Sequence, residues 1–108
     1  MGFMDLFKKQ DINEGAALAR STPGAVLLDV RSTDEFREGH IPGSINVPGE
    51  QIRGIRQFVP DVETPIFAYC LSGMRSSRAV SALKTMGYKN VTNIGGIRGY
   101  SGELSVEE

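Results

Sequence analysis

The apolar positions of this 108-residue chain fall into short runs that alternate between strand-like and helix-like patterns. Residues 25–30 and 65–69 are almost continuously apolar, which is typical of strands buried on both faces. Residues 44–47 and 91–94 are two shorter predicted strands, and the double glycine Gly95-Gly96 is expected to end the second of them. Strands that alternate with helices predict a parallel sheet covered by helices, so the predicted fold class is α/β.

The helical segments are predicted between these strands. Asn13 is the predicted N-cap of a first helix that carries residues 16–19. One helical turn is predicted for residues 34–38, and apolar residues at helical spacing predict helices over residues 51–59 and 76–86. In such folds ligands bind where the strands end and the helices begin, which directs attention to the segment between residue 69 and residue 76.

The length of the chain limits the number of domains, and its net charge limits the kinds of partner to expect. The chain is long enough for one domain over residues 1–108, with a core over residues 11–101, a short N-terminal segment and an acidic, solvated C-terminal tail. The formal net charge of −1 gives no electrostatic reason to expect a nucleic-acid or membrane partner. No apolar run approaches the ~20 residues that span a bilayer, and the first residues lack a signal-peptide pattern. We therefore expect a cytoplasmic protein.

The apolar residues of the N-terminal segment, Phe3, Met4, Leu6 and Phe7, are expected to pack on the domain. The alternative is a weak contact with a membrane or with a second copy of the chain. The expected assembly is a monomer or a weak homodimer.

The only cysteine, Cys70, directly follows the second apolar strand and precedes a glycine-containing turn and a helix. This arrangement gathers backbone N–H groups and a helix N-terminus around one point. Those donors and Arg75 favour the thiolate, so we expect the pKa of the Cys70 thiol to be lowered. One cysteine and one histidine exclude an intrachain disulfide and all-cysteine or two-histidine metal sites, and no metal or cofactor is expected.

Two segments closely resemble the signatures of the rhodanese superfamily. The first is Leu-Asp-Val-Arg at residues 28–31, followed by Glu-Phe at 35–36 and Gly-His-Ile-Pro-Gly-Ser-Ile-Asn-Val-Pro at 39–48. The second is Tyr-Cys-Leu-Ser-Gly-Met-Arg-Ser at residues 69–76, which resembles the active-site loop of the family. The order and separation of the two segments make the resemblance specific.

Later landmarks extend the resemblance from residue 13 to residue 100, through Gly87-Tyr88 and the double glycine. Many members of the family carry a tryptophan shortly after that double glycine, whereas this chain contains none. Tyr100 is expected to take its packing role. The resemblance implies a rhodanese-like fold, with a central, mostly parallel sheet and helices on both faces.

The resemblance also implies a sulfurtransferase. In the family, the cysteine takes the outer sulfur of a donor such as thiosulfate, becomes a persulfide and passes that sulfur to a thiophilic acceptor, which is cyanide in the usual assay. The implied partners are a small anionic sulfur donor and, as an alternative acceptor, a protein. Cys70 is the implied catalytic residue, the implied loop comprises Leu71, Ser72, Gly73, Met74 and Arg75, and the supporting residues are Asp29, Arg31 and His40.

The chemistry of these side chains suggests their roles. Arg75 is expected to face the pocket and attract an anionic donor, with a salt bridge as the alternative. Ser72 either donates a hydrogen bond to the sulfur or shapes the loop. Asp29 and Arg31 are expected to form an ion pair or a hydrogen-bonded clamp beside the loop, and His40 is expected to hold its turn by hydrogen bonds.

Two other functions are weighed against sulfur transfer. Related phosphatase loops place five residues between cysteine and arginine, whereas four separate Cys70 from Arg75, and the shorter loop fits a sulfur atom better than a phosphate. A persulfide carrier or docking module with little turnover on small molecules is the alternative that the retained cysteine leaves open.

Overall fold

The computed structural model describes residues 11–107. Four strands in this part of the chain form one sheet in the order β2-β1-β3-β4, and every pairing is parallel. The α/β prediction is therefore confirmed. In chain order the elements are α1 (Ile12–Ser21), β1 (Val26–Asp29), α2 (Thr33–Glu38), β2 (Ile45–Asn46), a 3-10 helix (Gly49–Gln57), β3 (Ile66–Cys70), α3 (Met74–Thr85), β4 (Val91–Gly96) and a 3-10 turn (Ile97–Gly99).

Helices cover both faces of the sheet. Successive residues of a strand point to opposite faces, so β3 contributes to both apolar clusters. All five residues of β3 are buried, as the apolar run predicted. On one face Ile66, Ala68 and Cys70 pack beneath α3 and the 3-10 helix. On the other face Phe67 and Tyr69 pack beneath α1. The thiol of Cys70 therefore belongs to the face that α3 covers.

The register of the sheet brings both sequence signatures together at the carboxyl ends of the strands. Asp29, the last residue of β1, pairs with Tyr69, and Cys70 pairs with Gly96 on the other side. The double glycine does not end β4 as expected, since Gly95 and Gly96 continue the pairing after a register shift at Ala68/Tyr69. Gly95 has a φ of 106°, which a residue with a side chain rarely adopts.

Helices α1 and α3 start earlier than the sequence predicted, and α1 does so because another residue caps it. Asp11, rather than Asn13, caps α1, since its carboxylate accepts hydrogen bonds from the backbone N–H groups of Asn13 (2.9 Å) and Glu14 (3.4 Å). The Asn13 amide instead donates to the Gly99 carbonyl (3.0 Å). The helix predicted from residue 76 begins at Met74, directly after Gly73.

The segment predicted as a helix over residues 51–59 forms the 3-10 helix, which starts at Gly49 without a side-chain cap. Its buried residues include Ile52 and Ile55, in agreement with the predicted spacing.

The C-terminal run is not a solvated tail along its backbone. Ser105 forms an antiparallel bridge with His40, and the Glu107 backbone N–H donates to the Arg37 carbonyl (3.1 Å). The Glu107 side chain remains exposed. The predicted packing of the N-terminal apolar residues lies outside the described residues.

Candidate active site around Cys70

The Cys70 thiol lies in a ring of hydrogen-bond donors at the carboxyl end of β3. Its side chain is buried, with the residue 1% exposed. Sγ accepts hydrogen bonds from the backbone N–H groups of Gly73 (3.0 Å) and Ser76 (3.3 Å). Burial opposes ionisation and is the largest single influence, but the donors from Ser76, Gly73 and Ser72 outweigh it, so the pKa of the Cys70 thiol is lowered. The site therefore favours a thiolate.

The Ser76 hydroxyl is a further donor that the sequence did not single out. It lies 3.4 Å from the Cys70 Sγ, 3.1 Å from the Gly73 carbonyl oxygen and 2.8 Å from Asn93 Oδ1. A hydroxyl has one proton, and a neutral thiol is the weakest of these three acceptors. The proton therefore lies towards Asn93 while Cys70 is protonated, and a thiolate, being charged, competes for it. Ser76 is fully buried, so its hydroxyl is shielded from water and depends on these protein partners.

The loop around the thiol is fixed against β4. Gly73 has a φ of 102°, a conformation that aims its N–H at the sulfur and that side chains resist. The Asn93 amide donates to the Gly73 carbonyl (3.2 Å). Gly96 lies so close that a Cβ there would come 2.4 Å from the Leu71 oxygen and 2.6 Å from the Ser72 Cα. Asn93 and Gly96 thus support the loop, and only the tertiary structure shows this role.

Arg75 pairs with α2 rather than extending freely over the thiol. Its Nη1 and Nη2 donate to the two carboxylate oxygens of Glu35 at 2.7 and 3.0 Å. The Arg75 guanidinium is the main reason why the pKa of Glu35 is lowered to about 2. The pair therefore stays ionised throughout the neutral range. The salt bridge weighed as the alternative from sequence is the contact that the structure contains.

Asp29 and Arg31 form a buried ion pair next to the loop. The Arg31 Nη2 lies 2.7 Å from Asp29 Oδ2 and 2.6 Å from the Gly39 carbonyl oxygen. The Asp29 carboxylate also accepts the Arg31 backbone N–H (2.8 Å). Asp29 is fully buried and Arg31 is 5% exposed, so the pair is shielded from water. It ties the end of β1 to the turn that begins at Gly39.

His40 holds that same turn by local contacts. Its Nδ1 lies 2.8 Å from the Phe36 carbonyl oxygen, and because a carbonyl can only accept, Nδ1 carries a proton. The His40 ring also stacks on the Phe36 ring with 3.7 Å between centroids. Tyr69, the neighbour of Cys70 on the opposite face, accepts the Ile41 N–H at its hydroxyl (3.1 Å). The turn is thereby anchored to β3.

The predicted site residues thus divide into two sets. Residues 71–75 enclose the thiol, although the Met74 side chain is 67% exposed and the Ser72 side chain makes no hydrogen bond to Sγ. Asp29, Arg31 and His40 make no hydrogen bond to Sγ and stabilise the neighbouring turn. Within residues 11–107 no group of His, Cys, Asp and Glu side chains is arranged to hold a metal ion.

The hydrogen bonds to Sγ predict how the reactivity of Cys70 depends on pH. With the wild-type protein, the rate of alkylation by iodoacetamide should rise with a midpoint below the pKa of an ordinary thiol. Ser76→Ala removes a donor to the thiolate, so its midpoint should move upward and its rate at pH 7 should fall roughly 3- to 10-fold, as expected for ~1 kcal/mol. The matched control is Ser77→Ala, an exposed neighbour on α3. Equal profiles for Ser76→Ala and wild type would show that the hydroxyl does not serve the thiolate.

No helix among residues 11–107 is long and apolar enough to cross a membrane.

Comparisons with known proteins agree with this geometry. A profile of the rhodanese-like domain matches residues 12–103. The chain is 35% identical over 72 residues to the Escherichia coli thiosulfate sulfurtransferase PspE, covering 66% of this chain and 69% of that protein. It is 35% identical over 79 residues to the putative sulfur carrier protein YrkF of Bacillus subtilis, covering 71% of this chain and 42% of that protein.

A solved structure of a rhodanese with anions from E. coli superposes with a TM-score of 0.71 at 30% sequence identity, over 76% of this chain and 98% of that one. The segment matched by the domain profile includes the loop around Cys70. The chain belongs to the rhodanese-like domain family.

Proposed function

We propose that the protein is a sulfurtransferase that moves a sulfane sulfur from an anionic donor such as thiosulfate to a thiophilic acceptor through a persulfide on Cys70. The observation that carries the proposal is the ring of donors around Sγ, with the Gly73 and Ser76 N–H groups at 3.0 and 3.3 Å. A thiolate is the nucleophile that the first step needs, and the donors that lower the pKa of Cys70 favour it.

In the first step the Cys70 thiolate attacks the outer sulfur of thiosulfate. A bond forms between Sγ and that sulfur, and the S–S bond of thiosulfate breaks, so that its electron pair leaves on sulfite. The persulfide carries one negative charge on its outer sulfur. Backbone N–H donors such as those of Gly73 and Ser76 stabilise an anion that is fixed in their midst.

In the second step the acceptor attacks the outer sulfur of the persulfide. With cyanide, a carbon–sulfur bond forms, the Cys70 S–S bond breaks, and thiocyanate leaves while the thiolate is restored. No proton is transferred in either step. The site therefore needs no acid or base, which is consistent with a histidine that is engaged with the Phe36 carbonyl.

The short loop argues against phosphoryl transfer. Phosphate needs a cradle wide enough for a tetrahedral oxyanion, together with a guanidinium that is free to bind it. Here the loop closes after four residues and lies against Gly96, and Arg75 is held by both oxygens of Glu35.

A persulfide carrier with little turnover on small molecules is the second candidate. Two observations favour it: one relative is named a putative sulfur carrier protein, and Arg75 pairs with Glu35 instead of standing free for an anionic donor. A carrier would still form the persulfide on Cys70, so the two candidates differ in the donor and in the rate of discharge to cyanide.

Mass spectrometry of the intact protein tests the proposal. Incubation with thiosulfate should add the mass of one sulfur atom, cyanide should remove it again, and Cys70→Ser should show neither change because its hydroxyl cannot form a persulfide. Mercaptopyruvate serves as a second donor. A wild-type protein that gains no sulfur from either donor would contradict the sulfurtransferase, and loading by a protein donor alone would favour the carrier.

A further inference from the structure

A groove separates the 3-10 helix Gly49–Gln57 from α3. It consists of two adjoining cavities of about 550 and 500 Å³ that share Ala82 in their lining. Its floor is apolar and includes Ile52, Ala79 and Met86. The residues that donate hydrogen bonds to the Cys70 sulfur, Gly73 and Ser76, are not part of the groove lining, so the groove is distinct from the ring of donors. We call it the basic groove.

Four arginines line the basic groove, and they differ in how they are held. Arg75 is paired with Glu35, and Arg56 donates to the Met86 carbonyl (2.6 Å) while lying over the Tyr88 ring. Arg53 and Arg78 are exposed and have no ion-pair partner among residues 11–107. Among the described residues, the one carboxylate in the lining is that of Glu50. In a chain with a net charge of −1, this surface has a local excess of positive charge.

The lining fits an acidic polypeptide better than a nucleic acid. Single-stranded nucleic acids bind to aromatic platforms and to dense positive charge, and no aromatic side chain of residues 11–107 is part of the lining. An extended peptide with alternating side chains can place acidic groups on Arg53 and Arg78 and apolar groups on the floor. The charge pattern and the apolar floor thus select the same class of partner.

The groove ends at the loop that holds the thiol. Arg75, its lining residue at that end, is the last residue of the loop. Because Cys70 is 1% exposed, a protein acceptor can reach its sulfur only with a slender group such as a chain end. We propose that the basic groove docks an extended, acidic chain end of a protein sulfur acceptor and leads its terminal nucleophile to Cys70. The proposal rests on the sulfur transfer proposed above.

The transfer to such an acceptor is balanced when its nucleophile is a thiolate. The acceptor sulfur attacks the outer sulfur of the Cys70 persulfide, a new S–S bond forms, and the bond to Sγ breaks. The electron pair of that bond returns to Sγ as the thiolate, and the acceptor leaves as a persulfide. No oxidant or reductant is consumed.

The binding test uses the unloaded protein and a fluorescent acidic peptide of alternating glutamate and leucine that ends in cysteine. Fluorescence anisotropy should show binding that weakens with salt, and a peptide with lysine in place of glutamate should bind more weakly. Arg53→Glu should weaken the binding of the acidic peptide roughly tenfold, which corresponds to about 1.4 kcal/mol. The matched control is Arg37→Glu, an exposed arginine of α2 outside the groove lining, which should leave the affinity unchanged.

Four outcomes would overturn the proposal. Equal affinity for the acidic and lysine peptides, or an equal loss in Arg37→Glu, would show that the groove does not select the partner. Tighter binding of a single-stranded RNA oligonucleotide would assign the groove to a nucleic acid. A dimer in sedimentation that Arg53→Glu dissociates would assign it to a second copy of this chain.

A second measurement separates this proposal from the proposed function. Wild type and Arg53→Glu are loaded with thiosulfate and then discharged either to the acidic peptide or to cyanide. Arg53→Glu should load and discharge to cyanide at the wild-type rate but transfer sulfur to the peptide roughly tenfold more slowly. Failure to load would contradict the sulfur transfer, whereas equal peptide rates in both proteins would contradict docking alone.

Discussion

Replacing Asp29 with asparagine is expected to destabilise the protein by about 3–5 kcal/mol, because it leaves the Arg31 guanidinium buried without a counter-charge. Asp29 is fully buried, and its carboxylate accepts from both the side chain and the backbone N–H of Arg31. The substitution keeps the shape of the side chain and removes its charge. Thermal unfolding followed by circular dichroism measures the effect, at about 4–8 °C for each kcal/mol in a domain of this size.

The control for Asp29→Asn is a substitution in a solvent-exposed ion pair. Lys89 and Glu63 lie 2.9 Å apart, with both side chains more than 60% exposed. Such pairs contribute about 0–1 kcal/mol, so Glu63→Gln should barely move the unfolding temperature. If the two substitutions had similar effects on the unfolding temperature, the buried Asp29–Arg31 pair would not stabilise the turn that begins at Gly39.

Replacing Gly96 with alanine is expected to slow the reactions of Cys70 by about 10²-fold, because a small displacement of a reacting group has effects of that size. An added Cβ would lie 2.4 Å from the Leu71 carbonyl oxygen and 2.6 Å from the Ser72 Cα. Both contacts are to backbone, so no side chain can rotate away. The loop must shift, and the Gly73 and Ser76 N–H groups then lose their aim at the sulfur.

Two rates measure the effect of Gly96→Ala: alkylation of Cys70 by iodoacetamide and loading with thiosulfate. The first depends only on the thiolate, so it tests the loop even if thiosulfate is not the donor. Gly54→Ala is the control, since a Cβ at Gly54 would meet no atom within 4 Å. Undiminished alkylation of a folded Gly96→Ala protein would mean that the loop does not depend on its contact with β4.

The sequence predicted the fold well because its main signals are local. The apolar run that ends before Cys70 predicted a buried strand, and all of β3 is buried. The position of Cys70 between strand and helix predicted the ring of donors and the direction of its pKa shift. These features depend on residues that are neighbours along the chain, which is why a single sequence contains them.

Features that depend on distant residues could not be predicted in this way. Glu35 and Arg75 are 40 positions apart, and only the folded chain shows that Arg75 binds Glu35 rather than extending over the pocket. Asn93 appears in the sequence as one polar residue in a short strand, yet it contacts both Ser76 and Gly73. The capping of α1 was missed for a smaller reason, since Asp11 and Asn13 are both good caps and the tertiary bond to Gly99 engages Asn13.

The contacts of Glu35 couple the local unfolding of α2 to that of the loop around Cys70. Glu35 accepts hydrogen bonds from the Ser32 N–H, which starts α2, and from Arg75, which ends the loop. A helix of six residues is too short to persist by itself, so α2 depends on tertiary contacts for its order. Loosening of α2 releases the Arg75 guanidinium, and loosening of the loop removes a support of α2. We therefore expect hydrogen exchange to report α2 and the Cys70 loop as one cooperative unit.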